Sequence, residues 1–311
     1  IYQIPLNFEK ENLGNKILKH FGLRSRKQDL RDWKKLVSSI RRAKKEVRIG
    51  IVGKYFETGN FTLMDSYISV LEAIKHASWK VSRIPRITWL SAEKYEKDRR
   101  ATEELKNFDG IIVPGGFGTR GVEGKMRALE FARSHKIPCF GLCFGMQLAV
   151  IEFARNVCGL KEATSSEFVS AKSKKPLDLI IDVMEEQKKL LKEKRYGGTM
   201  RLGAYSCNLL KGSIAQRAYH ARSVSERHRH RYEVNNKYVE KLEKKGFIAS
   251  GVNPETKLVE IMELRGHPFF LGTQFHPELK SRPLAPHPLF SAFIEVALGR
   301  SKARSQNVKN G

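Results

Sequence analysis

Short apolar runs alternate with amphipathic stretches through most of this chain. Val47-Arg-Ile-Gly-Ile-Val52, residues 80–90, Gly110-Ile-Ile-Val113 and Ile137-Pro-Cys-Phe-Gly-Leu142 read as strands, the first and last of them buried. Residues 65–76 (with Asp65 or Ser66 as cap), 94–107, 125–134 and 146–157 carry helical spacing between them. Strands that alternate with helices predict an α/β fold: a mostly parallel central sheet flanked by helices. Further on, the apolar stretches 202–210, 250–252, 258–264 and 269–275 follow one another more closely. They predict a smaller, antiparallel, strand-rich part. The highly charged stretch 170–195 reads as a helix plus an exposed loop. Residues 1–45, with helical spacing over 8–21 and 30–40, read as a connector leading into a domain at 46–300. The polar, basic end 301–311 is expected to be a disordered tail.

Composition narrows this picture without redirecting it. A chain of 311 residues, 41% hydrophobic, can bury one large core and carry an appendage. Its four cysteines show no framework spacing, which fits a reducing cytoplasm. No apolar run approaches the roughly 20 residues of a membrane span, so no membrane partner is expected. The net charge of +25 invites a nucleic-acid reading, but the charge is spread over the N-terminal segment, 172–175, 188–195 and 300–309. With no zinc-finger spacing, basic zipper or RNA-recognition signature, it reads as solvated surface. The chain opens on Ile1 rather than Met, which suggests processing or truncation.

Candidate chemistry lies at the strand ends. Gly141-Leu-Cys-Phe-Gly-Met-Gln147 sets a cysteine between glycines at a strand-to-helix turn, a nucleophile elbow with sulfur in place of oxygen. Glycines at such a turn let the backbone take a strained course and leave room for substrate. The helix behind the sulfur favours the reactive thiolate. Gln274-Phe-His276-Pro-Glu278 adds a base and an orienting carboxylate, completing the parts of a Cys143–His276–Glu278 triad. Cys139, Cys158 and Cys207 lack such surroundings and are assigned to packing. Gly115-Gly116 ends the preceding strand and, with the N–H of Phe144, can cradle an oxyanion. Gly121-Val-Glu-Gly-Lys125 mimics a phosphate loop but lacks its leading Gly and trailing Ser or Thr. No metal site is expected.

The elbow and the distant His-Pro-Glu together resemble the class I, triad glutamine amidotransferases. Gly53-Lys54-Tyr55, Pro114-Gly-Gly-Phe-Gly-Thr-Arg-Gly-Val-Glu-Gly-Lys125, Gly197-Gly-Thr-Met-Arg-Leu-Gly203, Glu226-Arg-His-Arg-His-Arg-Tyr-Glu233 and the run 274–283 are similar to the glutaminase domain of the CTP synthases. The resemblance covers nearly the whole chain, with Ile1-Tyr-Gln-Ile-Pro5 resembling the exit from that family's synthetase domain. It implies hydrolysis of L-glutamine to glutamate and ammonia through a Cys thioester. The ammonia would go to an amidoligase domain, missing here, that converts UTP to CTP with ATP and magnesium.

By the same resemblance, Gly116, Phe144, Gly145, Met146, Gln147, Glu167 and Arg231 bind glutamine. Glu167 would suit its α-ammonium and Arg231 its α-carboxylate. Arg120 and Glu123 match a lid that responds to GTP, the family's activator, and the full-length proteins form homo-tetramers. Phe144 stands where the family usually has Leu, and residues 56–64 form a longer stretch than usual. Competing readings are a γ-glutamyl hydrolase, a stand-alone amidotransferase partner of another ligase, or a non-catalytic nucleotide- or nucleic-acid-binding module.

Overall fold

A computed structural model describes residues 1–25, 29–53, 67–116, 118–169, 176–183 and 200–309, the side chains of 303–309 excepted. Lys54, Tyr55, the longer stretch 56–64, the cap candidates Asp65 and Ser66, Phe117, 172–175, 188–195 and 197–199 lie outside the described residues. Three helices, α1 (Ile4–Lys10), α2 (Leu13–His20) and α3 (Arg31–Arg42), precede the sheet. Then come β1 (Lys45–Gly53), α4 (Ile68–Lys80), β2 (Arg83–Ser91), α5 (Ala92–Lys97), β3 (Gly110–Val113), α6 (Val122–Ser134), β4 (Cys139–Leu142) and α7 (Phe144–Asn156). The second half holds β5 (Ala163–Ser165), β6 (Asp178–Val183), β7 (Arg201–Leu209), α8 (Ile214–Tyr219), β8 (Ser223–His230) and β9 (Tyr232–Val234). It closes with α9 (Val239–Lys244), β10 (Phe247–Val252), β11 (Val259–Leu264), β12 (Phe270–Thr273) and α10 (Pro288–Lys309).

One nine-stranded sheet runs in the order β2-β1-β3-β4-β12-β11-β10-β7-β8. From β2 to β12 every pairing is parallel, and from β12 to β8 every pairing is antiparallel. The mostly parallel core and the antiparallel part are thus one continuous surface. A second sheet, β5-β6-β9, sits apart from it. Side chains alternate across β3 and β4 with a period of two. Ile111, Val113 and Cys139 join a cluster with Leu129, Leu148 and Phe153 on the α6 and α7 face. Ile112, Phe140 and Leu142 join Ile74, Phe290 and Phe293 on the α4 and α10 face. The Phe140 ring meets Phe269, Phe290 and Phe293 at centroid distances of 5.7, 5.2 and 6.0 Å. Burying each such ring stabilises the fold by about 1.5–3 kcal/mol.

Three expectations change. Residues 94–107 are not one helix: Asp98, extended at φ −129°, ends α5 and caps a separate 3-10 turn, Arg99–Asn107, by accepting from the Arg100 N–H. The stretch 170–195 includes a strand, β6, because Asp-Leu-Ile-Ile-Asp-Val carries β-branched residues and its backbone pairs with β5 on one side and β9 on the other. The basic end is helical as far as Lys309, since 301–309 continue the register of a helix whose first turns, through Phe290, Phe293 and Ile294, are already fixed in the core.

Candidate active site

Cys143 occupies the single residue between β4 and α7, at φ 50° and ψ −101°. A non-glycine residue there is strained by roughly 1–3 kcal/mol, which the neighbouring packing must hold. The strain sits on the cysteine and not on its flanking glycines, neither of which has a positive φ. Those glycines serve close approach instead. A Cβ on Gly145 would lie 2.0 Å from the Val113 carbonyl oxygen, and one on Gly141 would lie 2.8 Å from the Gly145 backbone. The Cys143 N–H donates to the Thr273 carbonyl at 2.6 Å, so the end of β12 grips the turn. Phe144 begins α7, its ring edge-on to Phe168 at 6.0 Å. The larger side chain points into packing, and the helix-first N–H is the group left for an anion. Gly145, Met146 and Gln147 complete the first helical turn, all buried.

His276 precedes a 3-10 turn, Pro277–Lys280, that carries Glu278 back to it. The imidazole Nδ1 donates to Glu278 Oε1 at 2.7 Å, which fixes the tautomer and leaves Nε2 for chemistry. Nε2 has no hydrogen-bond partner among the described residues, and its ring shares a cavity with Cys143. Burial opposes a charge on His276, but the nearby Cys143 sulfur and the Glu278 carboxyl outweigh it. Together they push the imidazole up to about 11, so the ring holds its second proton through the neutral range.

The cavity has a volume of about 310 Å³ and is lined by Tyr67, Gly115, Gly116, Cys143, Arg229 and His276 among others. A Cβ on Gly115 would press within 3.3 Å of the His276 Cε1, so a larger residue here would crowd the base. Glu167, from the 3-10 turn Ser166–Phe168, accepts from the Gly118 N–H at 2.8 Å and ties down the loop after β3. Arg231 lies at the bend between β8 and β9, its Nε without a hydrogen-bond partner among the described residues. Burial raises the Tyr232 phenol above its ordinary value, with Glu167 adding to the shift and Arg231 opposing it, so these three groups share one neighbourhood. Neither Glu167 nor Arg231 lines the cavity beside His276. Gln147 spends its amide nitrogen on the Tyr232 carbonyl at 2.8 Å and on Gln274 Oε1 at 3.2 Å.

Arg120 pairs with Glu93 at 2.5 Å and Glu123 with Arg155 at 3.0 Å, both away from the cavity lining. The sequence reading missed Arg229, Tyr67 and Gln274. For Arg229 polarity gave no signal, because both faces of β8 are polar: Glu226, His228 and His230 are buried while Arg227 and Arg229 are exposed. The basic run is therefore a strand with one polar face inward. Among the described residues no group of three or more His, Cys, Asp or Glu side chains is placed to hold a metal ion, and no helix is long and apolar enough to cross a membrane.

An α/β sheet with a strained cysteine elbow and a His–Glu pair at its carboxyl edge is a class of enzyme site, and sequence comparison agrees on the class. The family described as glutamine amidotransferase class-I matches residues 62–296, and the chain belongs to it. Within that family the resemblance is to one branch. The chain is 49% identical over 298 residues to the CTP synthase of Caldanaerobacter subterraneus subsp. tengcongensis, covering 96% of this chain and 53% of that protein. It is 48% identical over 296 residues to the CTP synthase of Sulfolobus acidocaldarius, covering 95% of this chain and 54% of that one. The chain thus spans about half the length of these relatives. A solved structure of the Trypanosoma brucei CTPS glutaminase domain with bound acivicin superposes with a TM-score of 0.73 at 39% identity, covering 81% of this chain and 94% of that one. A GMP synthase component from Thermoplasma acidophilum, 13% identical with a TM-score of 0.51 over 84% of this chain and 99% of its own, shares the fold.

Proposed function

We propose that this chain hydrolyses L-glutamine, as the ammonia-producing part of a CTP synthase. The observation that carries the reading is the elbow cysteine sharing a cavity with His276, whose far nitrogen is held by Glu278 at 2.7 Å. Acivicin, a glutamine analogue, on a 39% identical glutaminase domain supports the substrate. In this mechanism the Cys143 sulfur attacks the side-chain amide carbon of glutamine. The carbonyl oxygen takes up negative charge against the N–H groups of Gly116 and Phe144. His276 gives the Nε2 proton to the leaving nitrogen, the C–N bond breaks, and ammonia departs from a thioester. Water then loses a proton to His276 and attacks the thioester carbon, releasing glutamate and restoring the thiolate–imidazolium pair. Glu278 keeps the ring oriented throughout. Glu167 and Arg231 take the α-ammonium and α-carboxylate, while Gly145, Met146 and Gln147 shape the pocket wall.

The ammonia serves an amidoligase domain that converts UTP to CTP with ATP and magnesium, and GTP activates the pair through the loop that holds Arg120 and Glu123. The assembled protein works as a homo-tetramer in the cytoplasm, where its free cysteines stay reduced. Glutamate release by this chain, measured alone and with an added synthetase domain, tests the proposal. Slow turnover alone, faster turnover when paired, and none in Cys143→Ala are expected. Absence of glutamate release in both states sinks the reading.

A further inference from the structure

Three amides connect the nucleophile to the strand beside Arg231. The Tyr232 carbonyl, the first peptide of β9, accepts from Gln147 Nε2 at 2.8 Å. The same nitrogen donates to Gln274 Oε1 at 3.2 Å, and Gln274 Nε2 donates to the Cys143 sulfur at 3.7 Å. Each orientation dictates the next. A backbone carbonyl can only accept, so Tyr232 forces Gln147 to present its nitrogen. That nitrogen's second hydrogen needs an acceptor, so Gln274 turns its oxygen toward Gln147. Its own N–H groups then have one direction left, toward the sulfur. Gln274 is fully buried and Gln147 is 4% exposed, so water does not compete for these bonds. The backbone of Gln274 is fixed as well: its N–H donates to the Glu260 carbonyl at 2.8 Å, and its neighbour Thr273 accepts from Cys143 N–H.

We infer that Gln274 is a further catalytic residue, an N–H donor to the Cys143 thiolate, and that Gln147 is the positioning residue that aims it. This deepens the glutaminase reading and rests on it. A thiolate accepts hydrogen bonds better than a thiol, so the donor favours the reactive form, as the helix behind it does. His276 shares the cavity with the sulfur and gives its proton to the departing nitrogen. Gln274 has no proton to give and stays, keeping the sulfur on its line of attack. The relay also joins two tasks. Tyr232 follows Arg231 directly, so any shift of that peptide when Arg231 takes an anion reaches the sulfur through two side chains.

The test is the pH dependence of iodoacetamide labelling at Cys143 in the 311-residue chain, read by peptide mass spectrometry, with thermal melts for each variant. Gln274→Met keeps the side chain's length and removes the donor. Its labelling midpoint rises by about one pH unit, the size expected for one lost charge-assisted hydrogen bond. Gln274→Glu keeps the shape and sets a carboxylate against the sulfur, and its midpoint rises further, so the inference survives a Met variant that fails to fold. Gln147→Met leaves the donor present but unaimed and gives a smaller rise. A packing role alone predicts lower melting temperatures with the midpoint unmoved, and an unmoved midpoint in a folded Gln274→Glu chain overturns the inference. The underlying triad has its own readout: if His276→Ala leaves Cys143 labelling unchanged at every pH, the glutaminase reading falls instead.

Discussion

The two halves of the nine-stranded sheet are held by different forces. From β2 to β12 the strands are parallel, and β3 and β4 are buried along their whole length with apolar side chains on both faces. From β11 to β8 they are antiparallel, and the buried face carries charge. Arg201 meets Glu260 at 2.8 Å, and Glu260 meets His228 at 2.5 Å, all three almost completely inaccessible. The Arg201 guanidinium also lies 4.1 Å from the Tyr205 ring centroid. Apolar burial is strong and non-directional, while a buried ion pair adds little net stability but demands one geometry. The catalytic groups divide along the same line. Cys143 ends the apolar half. Gln274 and His276 leave β12 and hang on the polar half, donating to the Glu260 and Arg227 carbonyls at 2.8 Å each. The sheet therefore places its nucleophile by packing and its base by a polar frame.

The largest effect should come from disturbing the packing at the elbow. Gly145→Ala sets a methyl 2.0 Å from the Val113 carbonyl, and the opposing atom is backbone with no rotamer to change. Destabilisation of more than about 4 kcal/mol is expected, visible as loss of the cooperative urea transition. A variant that melts like the parent would mean that β3 and α7 can separate freely. On the polar half, Arg201→Met strands Glu260 and should cost about 3–5 kcal/mol, whereas adding Glu260→Met should restore most of it. Truncating the exposed Arg86–Glu46 pair on β1 and β2 should stay within about 1 kcal/mol. Failure of the double variant to recover would show that His228, or packing on Tyr205, carries the energy.

The same division decides what could be read from the sequence. Strands buried on both faces, such as β3 and β4, announce themselves as unbroken apolar runs, and each strand expected before Cys143 is present in the fold. The elbow was legible because its residues are contiguous. Strand β8 was not legible from polarity, since Glu226, His228 and His230 are buried polar residues whose partners lie elsewhere in the chain. Glu260 is 32 residues from His228 and 59 from Arg201. Gln274 escaped notice for the same reason, its partners Gln147 and Cys143 being 127 and 131 residues away. The glycines were found for one reason and are needed for another: sequence pointed to a strained turn, and only contact distances reveal that helix and strand touch there.

A pH-dependent effect, smaller than the loss of Arg201, concerns whether the polar half is as charged as its composition suggests. Glu233, on β9, lies 3.7 Å from His230, with both side chains buried. Burial pushes the Glu233 carboxyl up to about 8, against the opposing pull of Arg201 and with the help of Glu260. Burial likewise holds His230 well below its ordinary value, so this pair meets near neutrality as carboxylic acid and neutral imidazole. Between the unfolded value near 4.5 and the folded value of about 8, the folded chain keeps a proton that the unfolded chain has lost. Stability contributed by Glu233 must therefore fall as pH rises through that window and level off above it. Glu233→Gln imitates the protonated acid and removes the dependence. From pH 6.5 to 8.5, where an unfolded histidine is mostly neutral, the parent should lose about 2 kcal/mol relative to the variant in urea titrations, as 1.36 kcal/mol per pH unit over the last 1.5 units up to 8 requires. Parallel curves for the two proteins would put a charged carboxylate beside His230. The antiparallel half would then be held by a wider ionic network than Arg201, Glu260 and His228 alone provide, and its contrast with the apolar half would be sharper still.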